Sequence, residues 1–332
     1  MKFDIVGVND CYDVWTVDPT GWTWALEPGK TVDEFACVWG RTEVANTGHV
    51  IEHPLRDLSR LKDYRWPDPD DPRRYEGFVE RLQAANDKFV MFCFGHGIWE
   101  RFHMLTGLAE ALVALVRHKD VVHELVERVL DFHLRVLRNV QRLAGGRIDA
   151  AAIGDDWGLQ DRAFMSVPMF REFFRARYQR WFDEIKALGM HTWMHSCGRI
   201  NTILPELIDC GLEVINSQQP NTVGLREFGA QFRGKICFEA IVDTQSTLPR
   251  GTHEEIRQQA REIRQFYGTP AGGLIPSDYN DAAAIGVTTD RRLVMFEAFA
   301  EQGGYPGYEA LLARARSGHD ATTGGYGRHT AG

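Results

Sequence analysis

The chain has no long apolar run, no basic excess, no dinucleotide-binding glycine pattern and no paired cysteine spacing, and each absence removes a class of function. No stretch of about 18 apolar residues is present to span a bilayer, and Met1-Lys2-Phe3-Asp4-Ile5-Val6 is too short for the apolar core of a signal peptide. A formal charge of −8 over 332 residues argues against non-specific binding to nucleic acid or to an anionic membrane. No Gly-x-Gly-x-x-Gly follows an apolar run, so a dinucleotide fold would lack its phosphate-binding turn. The six cysteines, Cys11, Cys37, Cys93, Cys197, Cys210 and Cys237, lack the spacing of a disulfide framework and read as reduced thiols of a cytoplasmic protein.

What is present is an ordinary globular composition, 44% apolar and 25% charged, with a pattern that changes along the chain. Residues 1 to 66 are aromatic-rich and weakly periodic; Phe35 to Gly40 and His49 to Ile51 read as short strands, a candidate hairpin. Trp66-Pro67-Asp68-Pro69-Asp70-Asp71-Pro72 is a stiff connector that continues neither a helix nor a central strand. Beyond it, continuous apolar runs alternate with amphipathic stretches. Phe89 to Gly95, Ile148 to Asp155, Met190 to Cys197, Leu212 to Asn216, Lys235 to Ile241 and Gly272 to Ile275 read as buried strands. Between them fall helices over Glu100–Arg117, Val121–Leu143, a segment opened by Ser166 and Pro168, Thr202–Cys210, Gly224–Phe228, a segment capped by Thr252 with Glu255, and Asp290–Gln302. Alternation at this spacing predicts an α/β fold, a single (β/α)8 TIM-type barrel with an irregular N-terminal extension. The expected division is an extension over residues 1–66, a barrel over 67–313 and a disordered tail over 314–332.

In such a barrel the chemistry gathers at the C-terminal ends of the strands. Those ends here carry His96, then Asp155 and Asp156, then His195 and Cys197, then Gln218 and Gln219, then Glu239 and Asp243, then Asp278, Asn280 and Asp281. Period-two geometry puts His195 and Cys197 on one side of an extended segment. Imidazole and thiolate are both zinc ligands, and a site needs at least a third, for which Glu239, Asp278 and Asp281 are the oxygen-donor candidates; the plain alternative is a core cysteine beside a hydrogen-bonded histidine. Of Asp155 and Asp156, one can cap a helix while the other faces the pocket as an acid or base. His96, Trp157, Arg199, Gln218, Gln219 and Asp243 are candidate substrate-binding residues, each with an equally plain role as loop, wall or surface.

Several segments together resemble the uroporphyrinogen decarboxylase superfamily, including its corrinoid-linked methyltransferases. They are His53-Pro54-Leu55 with Trp66-Pro67-Asp68-Pro69, Gly154-Asp155-Asp156-Trp157-Gly158-Leu159-Gln160, Met194-His195-Ser196-Cys197-Gly198-Arg199-Ile200, Val214-Ile215-Asn216-Ser217-Gln218-Gln219-Pro220 and Ile241-Val242-Asp243-Thr244-Gln245. The resemblance runs from about His53 to Phe299 and implies one distorted barrel with its pocket at the strand C-termini. It further implies zinc held by a His-x-Cys pair and a later cysteine. His195 and Cys197 match the pair, whereas the later region reads Pro276-Ser277-Asp278-Tyr279-Asn280-Asp281 and holds no cysteine. The arginine-rich N-terminal segment by which porphyrinogen decarboxylases hold their substrate is absent, no Arg preceding Arg41. The expectation is metal-dependent methyl transfer from a small methylated compound to a corrinoid on a partner protein, or to a thiol. The alternatives are a metal-free decarboxylase, with Asp156 stabilising a protonated intermediate and Arg199 or His96 holding the carboxylate, and a non-catalytic ligand-binding barrel.

Overall fold

Runs that are apolar on both faces must be covered on both, and here they fold as neighbouring strands of one parallel sheet sheathed by helices. The computed structural model describes residues 13–15, 23–27, 29–40, 48–85, 89–279 and 282–301. The strands in chain order are β1 (Asp13–Trp15), β2 (Thr23–Glu27), β3 (Lys30–Asp33), β4 (Val38–Gly40), β5 (His49–Glu52), β6 (Val90–Phe94), β7 (Ala150–Gly154), β8 (His191–His195), β9 (Val214–Ser217), β10 (Cys237–Ala240) and β11 (Leu274–Pro276). Seven of them form a parallel sheet in the order β1-β6-β7-β8-β9-β10-β11. Spatial order equal to chain order is the progression of a TIM-type barrel; a doubly wound sheet would reverse direction at a switch point.

Two apolar clusters show the inside and the outside of this sheet. Met91, Ala150, Trp193, Val214 and Ile275, bordered by Cys93, Ala152 and Cys237, form a small cluster of their own. Their sequence neighbours Phe92, Ala151, Met194, Ile215 and Phe238 point the other way, into the large core shared with the helices. Alternation of period two therefore assigns the first set to the barrel interior.

The predicted helical segments are helical, one of them with an instructive break, and Phe78–Ala84 and Thr247–Arg250 are helices that the pattern did not show. The stretch predicted as Glu100–Arg117 is two helices, Ile98–Thr106 and Leu108–Arg117, because Gly107 sits at φ 93°, where only glycine is unstrained. Ser166 caps the next predicted helix by accepting from Met169 N, and Phe170, Phe173, Phe174, Tyr178, Trp181, Phe182 and Ile185 are all buried. Thr252 and Glu255 form the predicted capping box of His253–Tyr267.

Strands β2 to β5 make an antiparallel sheet, and the predicted hairpin is its β4–β5 pair. Buried ion pairs lock this sheet to the barrel. Arg101 Nη1 donates to Asp33 Oδ2 at 2.8 Å, Trp39 Nε1 donates to the same oxygen at 3.0 Å, and Arg74 pairs with Glu34. Trp39 in turn stacks on His96, with ring centroids 5.5 Å apart, so the small sheet walls one side of the loop after β6. Among the described residues no helix is long and apolar enough to cross a membrane, and Cys37, Cys93, Cys197, Cys210 and Cys237 are free thiols. Cys11, Asp281, Asn280 and the tail over 314–332 lie outside the described residues.

Candidate metal centre

Two loops that follow β7 and β8 are pressed together by glycine. A side chain on Gly158 would put its Cβ 2.8 Å from Cys197 O, and Gly198 turns at φ 77° against the backbone of Gly158. This close approach brings Asp156, two residues past β7, beside Cys197, two residues past β8. The Cys197 N–H donates to Asp156 Oδ1 at 2.7 Å, and Gly198 N–H donates to Gln219 Oε1 at 3.0 Å, so the cysteine loop is held from both neighbouring strands.

His195 ends β8 with its ring between these loops. Its Nδ1 lies 2.5 Å from Asn216 Oδ1, while Nε2 lies 3.3 Å from Cys197 Sγ and 3.5 Å from Asp156 Oδ1. Among the described residues, the ligand atoms of Asp156, His195 and Cys197 form a group lying within 4.8 Å of one another. Burial by itself disfavours the imidazolium, but the Cys197 sulfur, Asp156 and Asn216 outweigh it, and the pKa of His195 stands well above the usual histidine range. Side-chain exposures of 37% for Asp156 and 32% for His195 leave the cluster open to a ligand from solvent.

The two adjacent aspartates divide their work. Asp155 is fully buried and accepts from Trp99 N at 3.1 Å, from Glu100 N at 2.7 Å and from the Tyr178 hydroxyl. It thereby caps the helix Ile98–Thr106, whose own N-cap, Gly97, offers no side chain. Burial first, and then Glu100, push its carboxyl well above the usual range. Asp156 is the one that faces the pocket.

The remaining sequence candidates are placed as follows. Glu239 is behind the cluster, accepting from Trp193 Nε1 at 2.7 Å and Ser277 Oγ at 2.6 Å. Asp278 is buried in an ion pair with Arg292 and accepts from Tyr279 N at 2.9 Å, so its oxygens are taken up away from the trio. Asp243 organises its own loop, accepting from Asn221 N, Gln245 N and Ser246 N. Trp157 is a core residue, stacked with Trp99 and edge-on to Phe170, Phe174 and Tyr178. Arg199 reaches Thr222 O at 3.3 Å and Glu227 at 3.7 Å. The Gln218 carbonyl accepts from Thr244 N and Oγ1. His96, stacked on Trp39, lies with Nδ1 3.4 Å from Glu100 Oε2.

Glu100 was not among the sequence candidates, yet its carboxyl lies against His96 and feels the charge of Asp156. Burial, followed by the charge of Asp156, raises its pKa well above the usual carboxylate range. Its position in the first turn of the helix directly after β6 was the available signal, but a first-turn glutamate is also what any helix favours.

The trio fits a divalent metal by its chemistry. One imidazole nitrogen, one sulfur and one carboxylate oxygen converge, and the Asn216 contact leaves the His195 Nε2 as the nitrogen that faces them. Three protein donors with an accessible fourth position is the donor count of catalytic zinc sites.

A family model described as uroporphyrinogen decarboxylase (URO-D) matches residues 42–277. Two curated proteins named methylcobamide:CoM methyltransferase MtaA, from Methanosarcina barkeri and from its strain Fusaro / DSM 804, are 28% and 24% identical over 140 residues. Those matches cover 42% of this chain and 39% of each relative, so the chain spans about two fifths of their length. A solved methyltransferase from Methanosarcina mazei shares the fold with a TM-score of 0.59 at 17% identity, over 81% of this chain and 76% of that one.

Proposed function

The chain belongs to the uroporphyrinogen decarboxylase family, and from that premise we propose that it is a zinc-dependent methyltransferase whose metal is held by Asp156, His195 and Cys197. The observation that carries this reading is the convergence of those three ligand atoms at the C-terminal mouth of the barrel. The likeness to methyltransferases supports it, and so does the open face of the trio. When bound, zinc would polarise the heteroatom carrying the methyl group or hold a thiol acceptor as its thiolate.

The donor is a small methylated compound, and the acceptor a corrinoid on a partner protein or a thiol. With no cysteine in the 276–281 region, the carboxylate of Asp156, from a different loop, as third donor makes the set harder than one with two cysteines, which favours an oxygen- or nitrogen-bound methyl group over a sulfur-bound one. His195 presents one nitrogen in a fixed orientation, Cys197 is held by Asp156 and the Gln219 contact to Gly198, and the buried Glu100 carboxyl, whose pKa is raised by burial and by Asp156, would be the proton source for a departing heteroatom. Of the two residues that the carboxy-lyase alternative offers to hold a carboxylate, Arg199 is directed to Thr222 O and Glu227, which leaves His96.

Metal analysis of protein purified without chelator tests the assignment. One zinc per chain is expected, lost in His195→Ala and in Cys197→Ala. A wild-type protein free of metal, with corrinoid methylation unaffected by His195→Ala, would sink it.

A further inference from the structure

The interior of the barrel carries a polar layer directly behind the candidate metal centre, and it rests on that assignment. His195, Asn216 and Glu239 are lateral neighbours in register on β8, β9 and β10. Two residues earlier on the same strands, Trp193, Val214 and Cys237 line the barrel interior, so period two turns this layer inward as well. We infer that Asn216 and Glu239 are positioning residues that fix which nitrogen of His195 faces the metal, and with what orientation.

The orientation follows from donor chemistry. Glu239 Oε2 accepts from the Trp193 indole, a group that can only donate, at 2.7 Å, and Oε1 accepts from Ser277 Oγ at 2.6 Å. Asn216 is the register partner of Glu239 on the neighbouring strand, and its amide favours the charged form of the same carboxyl. A carboxylate surrounded by donors takes the amide N–H of Asn216, which leaves the amide oxygen turned toward His195 Nδ1, 2.5 Å away. That oxygen can only accept, so Nδ1 keeps its hydrogen. Nε2 is then the nitrogen offered to the metal, on the side where Cys197 Sγ and Asp156 Oδ1 lie. Reversing the Asn216 amide would set its oxygen against the carboxylate and its N–H groups against the Nδ1 hydrogen. Glu239, a candidate ligand by sequence, thus acts through Asn216 on the ligand itself. Outer partners of this kind raise ligand basicity and hold the ring, and removing them costs about 10–100-fold in metal affinity.

The test is the zinc affinity of the full chain, stripped and titrated against a competing chelator, with circular dichroism and thermal melting of each variant alongside. Asn216→Leu removes the acceptor and should weaken zinc binding by about 10–100-fold. Glu239→Gln keeps the volume, removes the charge that orients the amide, and should weaken it by about tenfold even if Asn216→Leu proves unstable. Asn216→Asp restores an acceptor for the Nδ1 hydrogen and should return affinity to within a few-fold of wild type. Wild-type affinity in both Asn216→Leu and Glu239→Gln would overturn the relay while leaving the metal assignment standing. A wild-type chain that binds no zinc would overturn both, and the first measurement of the series separates the two failures.

Discussion

The backbone N–H of Cys197 donates to the carboxylate of Asp156 at 2.7 Å, so the same side chain that would offer an oxygen to the proposed metal also sets the position of the sulfur. A substitution at Asp156 therefore acts on two properties that can be separated. Asp156→Asn retains an oxygen for the Cys197 N–H but not the charge, and should lower zinc affinity by at least about tenfold while stability changes by less than about 1 kcal/mol. Asp156→Ala should lose both, with an added stability cost of about 1–2 kcal/mol for the unpaired N–H. Chelator competition and urea denaturation on the two variants would show the split; equal zinc affinity in wild type and Asp156→Asn would remove Asp156 from the ligand set.

Asp155 is expected to behave in the opposite manner. It accepts from two backbone N–H groups and from Tyr178, all in the interior, and is not among the convergent trio. Asp155→Ala leaves those donors unpaired and should cost about 3 kcal/mol or more in urea denaturation. Zinc bound per folded molecule should stay near the wild-type value. Loss of zinc at unchanged stability would contradict the division of roles between the two aspartates.

How much of this was legible in the sequence depends on which physics set each feature. The barrel strands show as continuous apolar runs because both faces are buried, and the His195–Cys197 pair shows because its spacing is local. Asp156 as a third donor is a different matter. Its approach to Cys197 depends on the contact of Gly158 with Gly198, forty residues apart in sequence, which no local pattern displays. Asp278 reads as a ligand by type and position until Arg292, on the following helix, is seen to neutralise it. Gly107 is an isolated glycine in an otherwise helical pattern, and its break is set by a backbone angle rather than by hydrophobic period.

The ion pair between Arg101 and Asp33 predicts how firmly the antiparallel sheet is held. Both side chains are buried, and Asp33 also takes Trp39 Nε1 and the N–H groups of Phe35 and Cys37. Arg101→Met leaves the Asp33 charge with neutral donors only, and should destabilise the fold by about 3–5 kcal/mol. Because Trp39 stacks on His96, the same variant should also raise the susceptibility of the pocket wall to proteolysis under native conditions. A variant as stable as wild type would mean that the Arg101–Asp33 pair contributes nothing to holding the sheet, which would then rest on the Arg74–Glu34 pair and its apolar contacts.

Two buried histidines, His103 and His133, contribute to the acid side of the stability curve. Burial, then the charge of His96, pulls His103 down to about 4, and burial places His133 well below its ordinary value as well. Between pH 6.5, where a free histidine titrates, and about 4, the unfolded chain binds protons at these positions that the folded chain does not. Stability from this source is therefore complete above about pH 6.5 and is lost as the pH falls, by roughly 3 kcal/mol for His103 alone once the pH is below its folded value. His133 allows a clean test. Its ring stacks on Trp181 with centroids 4.7 Å apart, and neither ring nitrogen has a hydrogen-bond partner among the described residues. His133→Phe keeps the stacking surface and removes the site that titrates. It should match or exceed wild-type stability near pH 8 and lose less on going to pH 5, in urea denaturation at a series of pH values. Curves for the variant and wild type that run parallel across that range would show that His133 takes up no proton on unfolding.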